Sequence, residues 1–172
     1  MKTLCIVSPC YNEEEVIRWS ANKLSEMIAS LVEKGKISSN SFVLYVNDGS
    51  KDNTWQIIES IHRENSLINA IDLTKNVGHQ RAIMAGMMTA KGISDMVITI
   101  DADLQDDLNA IEKMIDAHYE GNEIVYGVKV EREADPIVKR VTAKAFYKMQ
   151  HLMDIDTVYN HADFRLMSKK AL

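Results

Sequence analysis

The sequence from Met96 to Gln105 reads MVITIDADLQ, and no other stretch of the chain is as informative. Its first five residues form a short apolar and β-branched run, which is typical of a strand covered on both faces of a parallel sheet. Two carboxylates, Asp101 and Asp103, follow directly. Ligands of open parallel sheets bind beyond the carboxyl ends of the strands. The stretch therefore predicts an α/β fold with an acidic site at one edge of its sheet.

Similar apolar runs recur along the chain, and segments with helical periodicity separate them. The predicted strands are Leu4–Val7, Phe42–Val46, Ile68–Leu73, Met96–Ile100 and Ile124–Val128. The predicted helices are Glu13–Glu33, Thr54–Glu64, His79–Lys91 and Leu108–Glu120. This alternation predicts a Rossmann-like, mostly parallel central sheet with helices on both faces and right-handed crossovers.

The pattern changes after Val128, where the chain becomes rich in charge. An exposed loop is predicted at 129–140, followed by a helix from about Ile137 to Leu152 and a further run at 163–167. No linker or repeat divides the chain, so one domain is expected over residues 4–172. Because no closing element follows, we expect a domain truncated at its C-terminus.

Composition excludes several classes of protein. The formal net charge is −5, whereas nucleic-acid binders usually carry a basic face. An acidic protein binds phosphates poorly unless a cation reverses the local field. The two cysteines, Cys5 and Cys10, form no metal or disulfide pattern, which indicates a reduced compartment. No signal peptide and no apolar run of the roughly 18–20 residues needed for a membrane span is found, so this fragment is expected to be soluble.

Polar loops follow three of the predicted strands, at 8–14, 47–54 and 101–107. Each loop alone is also explained by local structure, because Asn12, Asp52 and Asp107 are typical of helix starts. Their convergence on one edge of the sheet favours a binding site. Asp101 and Asp103 would repel each other unless a divalent cation lay between them, and Gln105 adds a neutral oxygen ligand.

The histidines show no metal-ligand spacing. His79 follows Gly78 at the start of a predicted helix and is close enough in sequence to the polar edge to reach the site. His62, His118 and His151 are predicted to be surface residues of helices.

At this point the motifs resemble those of the family 2 glycosyltransferases, which have the GT-A fold, and in particular the subgroup that transfers sugars to polyprenyl phosphates. The matching segments, in family order, are SPCYNEE at 8–14, NDGS at 47–50, KNVG at 75–78, DADLQ at 101–105 and DFRL at 163–166. Departures from the family pattern include Cys10 for threonine, Asn47 for the first acid of D-D-G-S, and His161-Ala162 for Thr-Gly.

The resemblance implies a role for each matching residue. The donor nucleotide would contact Pro9, Tyr11, Glu13, Val46, Asp48, Asp101, Ala102 and Lys129. A divalent cation, Mg²⁺ or Mn²⁺, would be held by Asp101, Asp103 and Gln105. The catalytic residues would be Asp103 and Asp163, with Asp163 facing the acceptor.

The implied reaction moves a sugar from a UDP- or GDP-linked donor to an acceptor, with inversion. The acceptor would be a polyprenyl phosphate at the cytoplasmic face of the membrane in the full-length protein, or alternatively a saccharide in cell-surface polysaccharide synthesis. Nucleic acid is not expected as a partner, and the chain could assemble with copies of itself. Asp48 is expected at the rim of the site, outside the core, so that Asp48→Ala would weaken donor binding without unfolding the protein.

Two other classes of protein stay open. A nucleotidyltransferase should have a glycine-rich basic loop after its first strand, whereas residues 9–14 are acidic and lack glycine. A non-catalytic nucleotide-sugar-binding module is the second alternative. Asp163 also has a structural alternative, namely an ion pair with Arg165 or Lys169.

Overall fold

The computed structural model of the 172-residue chain describes residues 1–128 and 161–172, apart from the side chains of 161 and 162. The loop predicted at 129–140 and the helix predicted from Ile137 to Leu152 lie outside the described residues. The elements in chain order are β1 Leu4–Cys10, α1 Ile17–Glu33, β2 Phe42–Asn47, α2 Thr54–Glu64, β3 Ile68–Asp72, α3 His79–Lys91, β4 Met96–Thr99, α4 Asn109–Tyr119, β5 Ile124–Val128 and β6 His161–Ser168.

The described strands form one sheet with the order β3-β2-β1-β4-β6-β5. β1 pairs in parallel with β2 and β4, and β2 pairs in parallel with β3. β6 lies antiparallel between β4 and β5. The prediction of a mostly parallel sheet is therefore confirmed, with β6 as its one reversed strand among the described residues.

Side chains alternate across the sheet because successive residues of a strand point to opposite faces. In β1, Leu4 and Ile6 pack under α1, α2 and α4, whereas Cys5 and Val7 pack under α3. All four side chains are fully buried. Burial of each large aliphatic side chain contributes about 1.5–3 kcal/mol. The predicted arrangement of helices on both faces is thus confirmed, with three described helices on one face and one on the other.

Helix α3 lies unusually close to the sheet. A Cβ atom placed on Gly86 would lie 2.4 Å from Cγ1 of Val7 and 2.8 Å from Cγ2 of Val46. Only glycine permits this approach. The contact fixes α3 against β1 and β2 and sets the position of its N-terminus.

Some predicted features differ in the structure; strand β1, for example, continues to Cys10, three residues beyond its predicted end. Helix α1 begins at Ile17 and not at Glu13, and in the loop before it the backbone N–H of Glu13 donates to Oγ1 of Thr54 at 2.8 Å. His118 is buried, whereas a surface position was predicted. Its Nδ1 donates to the carbonyl oxygen of Asn122 at 2.7 Å, which satisfies the buried ring. None of the helices in the described ranges is long and apolar enough to cross a membrane.

Candidate functional site

The carboxyl ends of β1, β2 and β4 surround a cleft of about 470 Å³ at one edge of the sheet. The strand order changes direction at β1, because β2 lies on one side of it and β4 on the other. Such a switch point is where open α/β sheets bind ligands. The cleft is lined by Pro9, Cys10, Tyr11, Glu13, Asp48, Asn76, Gly78, His79, Ala82, Asp101, Ala102 and Asp103.

The loop after β1 is bonded to the loop after β2. The backbone N–H of Asn12 donates to Oγ of Ser50 at 3.0 Å. The Glu14 carboxylate accepts hydrogen bonds from the backbone and side chain of Asn53 at 3.0 and 2.8 Å. Asn12 has a φ of 57°, a left-handed conformation that asparagine tolerates. These contacts hold residues 11–13, which form one wall of the cleft.

Asp48 fixes the loop that begins helix α3. Its two carboxylate oxygens accept the backbone N–H groups of Val77 at 2.7 Å and Gly78 at 2.9 Å. Gly49 follows with a φ of +64°, and a Cβ there would lie 2.5 Å from the backbone nitrogen of Asn76. Asp48 is only 3% exposed. The expectation that Asp48 lies outside the core is therefore corrected, because the residue is buried and holds the start of α3.

Three carboxylates lie together on the acidic side of the cleft. Burial, followed by repulsion from Asp103 and Asp101, raises the pKa of Glu13. Burial also raises the pKa of Asp101; His79 opposes this rise and Asp103 adds to it. Confined carboxylates of this kind attract a cation, since ionisation is otherwise costly.

The donor set fits a hard divalent cation only in part. Within the described ranges, no three His, Cys, Asp or Glu side chains are gathered as a complete metal site. Magnesium, however, uses one or two protein carboxylates together with waters and substrate phosphate oxygens. Asp101 and Asp103 line the same cleft and can supply that pair. The residues present therefore fit a cation that binds together with a phosphate ligand.

Three predicted site residues do not line the cleft within the described structure. Val46 is fully buried and packs in the core beneath α3, where Gly86 approaches it closely. Gln105 is exposed, with its backbone N–H 3.2 Å from Oδ1 of Asp103. Lys129 lies outside the described residues.

Asp163, at the start of β6, lies beside the cleft and contacts two residues of α3. Its Oδ2 atom is 3.1 Å from Nε2 of His79 and accepts a hydrogen bond from Nε2 of Gln80 at 2.8 Å. It forms no ion pair with Arg165 or Lys169, although all three residues are described. The alternative of a structural ion pair for Asp163 is therefore wrong for these two bases.

His79 joins the acidic side of the cleft to Asp163. Its Nε2 atom lies 3.6 Å from Oδ1 of Asp101 and 3.1 Å from Oδ2 of Asp163. The sequence indicated that His79 could reach the site, but not this pairing. The contact with Gln80 was not predicted at all, and no sequence signal distinguishes Gln80 from an ordinary exposed helix residue.

Cys10 lines the cleft but is unsuited to nucleophilic chemistry. Burial, aided by the charges of nearby carboxylates beginning with Glu13, raises the pKa of its thiol to about 12. A thiol with such a pKa holds its proton at neutral pH. Cys5 and Cys10 are both free and buried.

Comparison with known proteins agrees with this architecture. Residues 5–172 match the family model described as glycosyl transferase family 2. The uncharacterized glycosyltransferase YkoT of Bacillus subtilis is 47% identical over 169 residues, covering 98% of this chain and 50% of the relative. The bactoprenol glucosyl transferase of Shigella phage SfV is 33% identical over 173 residues, and the match covers 98% of this chain and 53% of the relative. The chain thus spans about half the length of these relatives.

One solved structure shows the same fold. It is glucosyl-3-phosphoglycerate synthase from Mycobacterium tuberculosis, in complex with Mn²⁺, UDP-glucose and phosphoglyceric acid. The TM-score is 0.64 at 16% sequence identity, and the match covers 98% of this chain and 57% of the other. At this identity, the likeness establishes the GT-A arrangement of the sheet and helices and nothing about the ligands of this chain.

Proposed function

Because the chain belongs to glycosyl transferase family 2, we propose that its cleft binds a nucleotide-diphosphate sugar and that the whole protein transfers this sugar to an acceptor with inversion at the anomeric carbon. The observation that carries the proposal is the convergence of Glu13, Asp101 and Asp103 on one cleft at the switch point of the sheet. A nucleoside with a metal-bound diphosphate needs a cleft that has room for the nucleoside and carboxylates that can hold the metal.

The donor side is assigned from the lining of the cleft. The nucleoside lies against Pro9 and Tyr11, on the wall held by the loop after β2. Because both Asp48 oxygens already accept the backbone N–H groups of Val77 and Gly78, Asp48 positions the start of α3 and has limited capacity left for the nucleoside. Ala102, which is small and buried, permits close approach of the ribose between the two acids.

The diphosphate binds on the acidic side of the cleft, where a cation would offset the repulsion between its charges and the carboxylates. Asp101 and Asp103 would hold Mg²⁺ or Mn²⁺, and Gln105, in the same loop, would be a further ligand. When bound, the cation supplies Lewis-acid stabilisation of charge on the departing diphosphate. The mycobacterial synthase was crystallised with Mn²⁺ and UDP-glucose, so a protein of this fold can accommodate both ligands.

Asp163 is assigned to the acceptor side because it lies beside the cleft, across His79 from Asp101. If the acceptor is a hydroxyl, the Asp163 carboxylate takes its proton. If the acceptor is a phosphate, which is already anionic, Asp163 orients it instead. The names of the bactoprenol glucosyl transferase relatives favour a polyprenyl phosphate, and hence a reaction at the cytoplasmic membrane face. A saccharide acceptor is the second candidate.

The proposal is tested by calorimetric titration of UDP, GDP and UDP-glucose in the presence of Mn²⁺ and, separately, of EDTA. We expect one nucleotide to bind with Mn²⁺ and to bind far more weakly with chelator. Equal affinity under both conditions would remove the cation from the proposal. No binding of any nucleotide would remove the donor site itself. Binding without transfer to either acceptor class would leave a nucleotide-sugar-binding module.

A further inference from the structure

The Asp163 carboxylate is held by two consecutive residues at the start of α3. The ring Nε2 of His79 lies 3.1 Å from Oδ2 of Asp163, and the side-chain amide of Gln80 donates to the same oxygen at 2.8 Å. Both distances are within normal hydrogen-bonding range. A carboxylate held by a single contact can rotate about that contact, whereas two donors from different side chains fix its orientation.

Both donors converge on one oxygen. In the described part of the chain, no hydrogen bond reaches Oδ1 of Asp163. The main chain at the same residue is also anchored, because the buried hydroxyl of Thr99 donates to the Asp163 carbonyl oxygen. Among the described residues, the carboxylate is therefore held from its backbone and from Oδ2, and Oδ1 is the atom left for a ligand.

The two hydrogen-bond donors, His79 and Gln80, lie on a part of α3 that other contacts hold in place. Asp48 holds the backbone N–H groups of Val77 and Gly78, the two residues that precede His79. Gly86 holds the following turns of α3 against the sheet. The position of His79 and Gln80 is therefore set by the packing of α3 and does not depend on the contacts to Asp163.

We propose that His79 and Gln80 are positioning residues that orient Asp163 toward the acceptor, with Oδ2 occupied by their hydrogen bonds and Oδ1 presented to the acceptor oxygen. This inference rests on the proposed transfer function. Such support is expected where a reacting group must be held within a fraction of an ångström, since a misplacement of about 1 Å can lower a rate roughly 100-fold.

Of the two, Gln80 gives the cleaner test, because it does not line the donor cleft. Gln80→Ala removes its hydrogen bond, and Gln80→Glu places a second carboxylate against Asp163. Gln56→Ala is the matched control, since Gln56 is an exposed residue of α2, which packs on the opposite face of the sheet from α3. For His79, alanine is compared with His79→Gln, whose amide nitrogen can approximate the position of Nε2.

The measurements are kcat and KM for UDP-glucose with Mn²⁺, using a polyprenyl phosphate in detergent micelles and, separately, water as the acceptor, together with the Kd of UDP. We expect Gln80→Ala and Gln80→Glu to lower kcat about 10- to 100-fold with the Kd of UDP within twofold of the unaltered protein. His79→Gln should recover most of the kcat lost in His79→Ala. Gln56→Ala should have no effect.

Unchanged kcat in the Gln80 variants would overturn the inference while leaving the donor site intact. Equal losses in kcat and in UDP binding would overturn it as well, because a general disturbance of the cleft would explain both. If the unaltered chain binds UDP with Mn²⁺ but shows neither transfer nor hydrolysis, the inference falls with the transfer proposal and the binding proposal survives.

Discussion

The Oδ2 atom of Asp48 lies 2.9 Å from the backbone nitrogen of Gly78, and this hydrogen bond ties the end of β2 to the start of α3. Gly78 has a φ of 92° and is the last residue before the helix. Its neighbour Val77 donates to the other oxygen of the same carboxylate. The buried side chain of Asp48 therefore sets the position of the first turn of α3.

Replacing Asp48 by alanine should destabilise the protein by roughly 2–4 kcal/mol, because two backbone N–H groups lose a charged acceptor. Asp48→Asn should have a smaller effect, since one carbonyl oxygen still accepts a hydrogen bond. Urea denaturation followed by circular dichroism measures both. Glu33→Ala, at an exposed carboxylate of α1, is the control and should change stability by less than about 0.5 kcal/mol. A stable Asp48→Ala variant that only loses nucleotide binding would restore Asp48 to the rim of the site.

Replacing Asp103 by asparagine should weaken Mn²⁺-dependent UDP binding by about 1–3 kcal/mol, because the cation loses one charged ligand. Asp107→Asn, in the same loop, makes the same change of charge. Its Oδ1 accepts the backbone N–H of Asn109 at 2.9 Å, a bond that asparagine retains. Calorimetry should therefore separate the two variants. Similar losses in both would indicate that general electrostatic attraction, and not coordination, drives binding.

Binding of Mn²⁺ with UDP should weaken as the pH falls, starting at a higher pH than an ordinary aspartate would require. Burial raises the pKa of Asp101 above its usual 3.8, so protons compete with the cation earlier. Titrations in two buffers of different ionisation enthalpy should reveal proton release on binding. Equal heats in both buffers throughout the weakly acidic range would contradict the expectation.

In the absence of metal, the raised pKa of Asp101 makes stability depend on pH in the opposite direction from binding. Because the folded-state pKa of Asp101 is raised, the folded protein binds the proton more tightly than the unfolded chain does. The contribution of Asp101 to stability therefore falls as the pH rises through this pKa. Asp101→Asn should unfold at a higher temperature than the unaltered protein at neutral pH, while losing Mn²⁺-dependent binding. A lower melting temperature would show that the Asp101 charge is compensated within the fold.

Replacing Gly86 by alanine should destabilise the protein by about 1–3 kcal/mol despite the better helix propensity of alanine. The new Cβ would lie 2.4 Å from Cγ1 of Val7, and overpacking of this kind outweighs the roughly 1 kcal/mol gained in the helix. Gly92→Ala is the matched control, because its φ is −76° and its nearest neighbour is 4.0 Å away. Thermal unfolding should show a loss for Gly86→Ala and little change or a gain for Gly92→Ala.

Much of the fold follows from local patterns in the sequence. Helices Thr54–Glu64 and His79–Lys91 have the predicted bounds, because their apolar residues repeat with helical spacing and turn residues flank them. Helix α1 begins four residues later than predicted, and the loop before it is bonded to Thr54, which is distant in sequence, so apolar periodicity does not mark this boundary. The antiparallel position of β6 between β4 and β5 was likewise not predictable from periodicity, which carries no information about strand pairing.

In the candidate site, too, local sequence patterns predict some residues, whereas others depend on contacts between segments that are distant in sequence. Asp101 and Asp103 could be found because both directly follow an apolar strand. The resemblance of the segment at 47–50 to the family motif indicates Asp48 as a site residue, but not its burial, which depends on the approach of the loop at 76–78. The resemblance places Val46 in the cleft, whereas in the structure α3 covers it near Gly86 and it packs in the core. The contact of Gln80 with Asp163 depends on the position of β6 and has no sequence signature.

The hydrogen bonds between the loops after β1 and β2 also bear on how the cleft can change. The N–H of Asn12 binds Ser50, and Glu14 binds Asn53. A nucleoside that enters here meets a wall that is already ordered, so binding loses little conformational entropy on this side. Neither loop can shift without breaking bonds to the other. A change in nucleoside preference therefore requires matched substitutions in both loops, and the two segments should vary together when such proteins diverge.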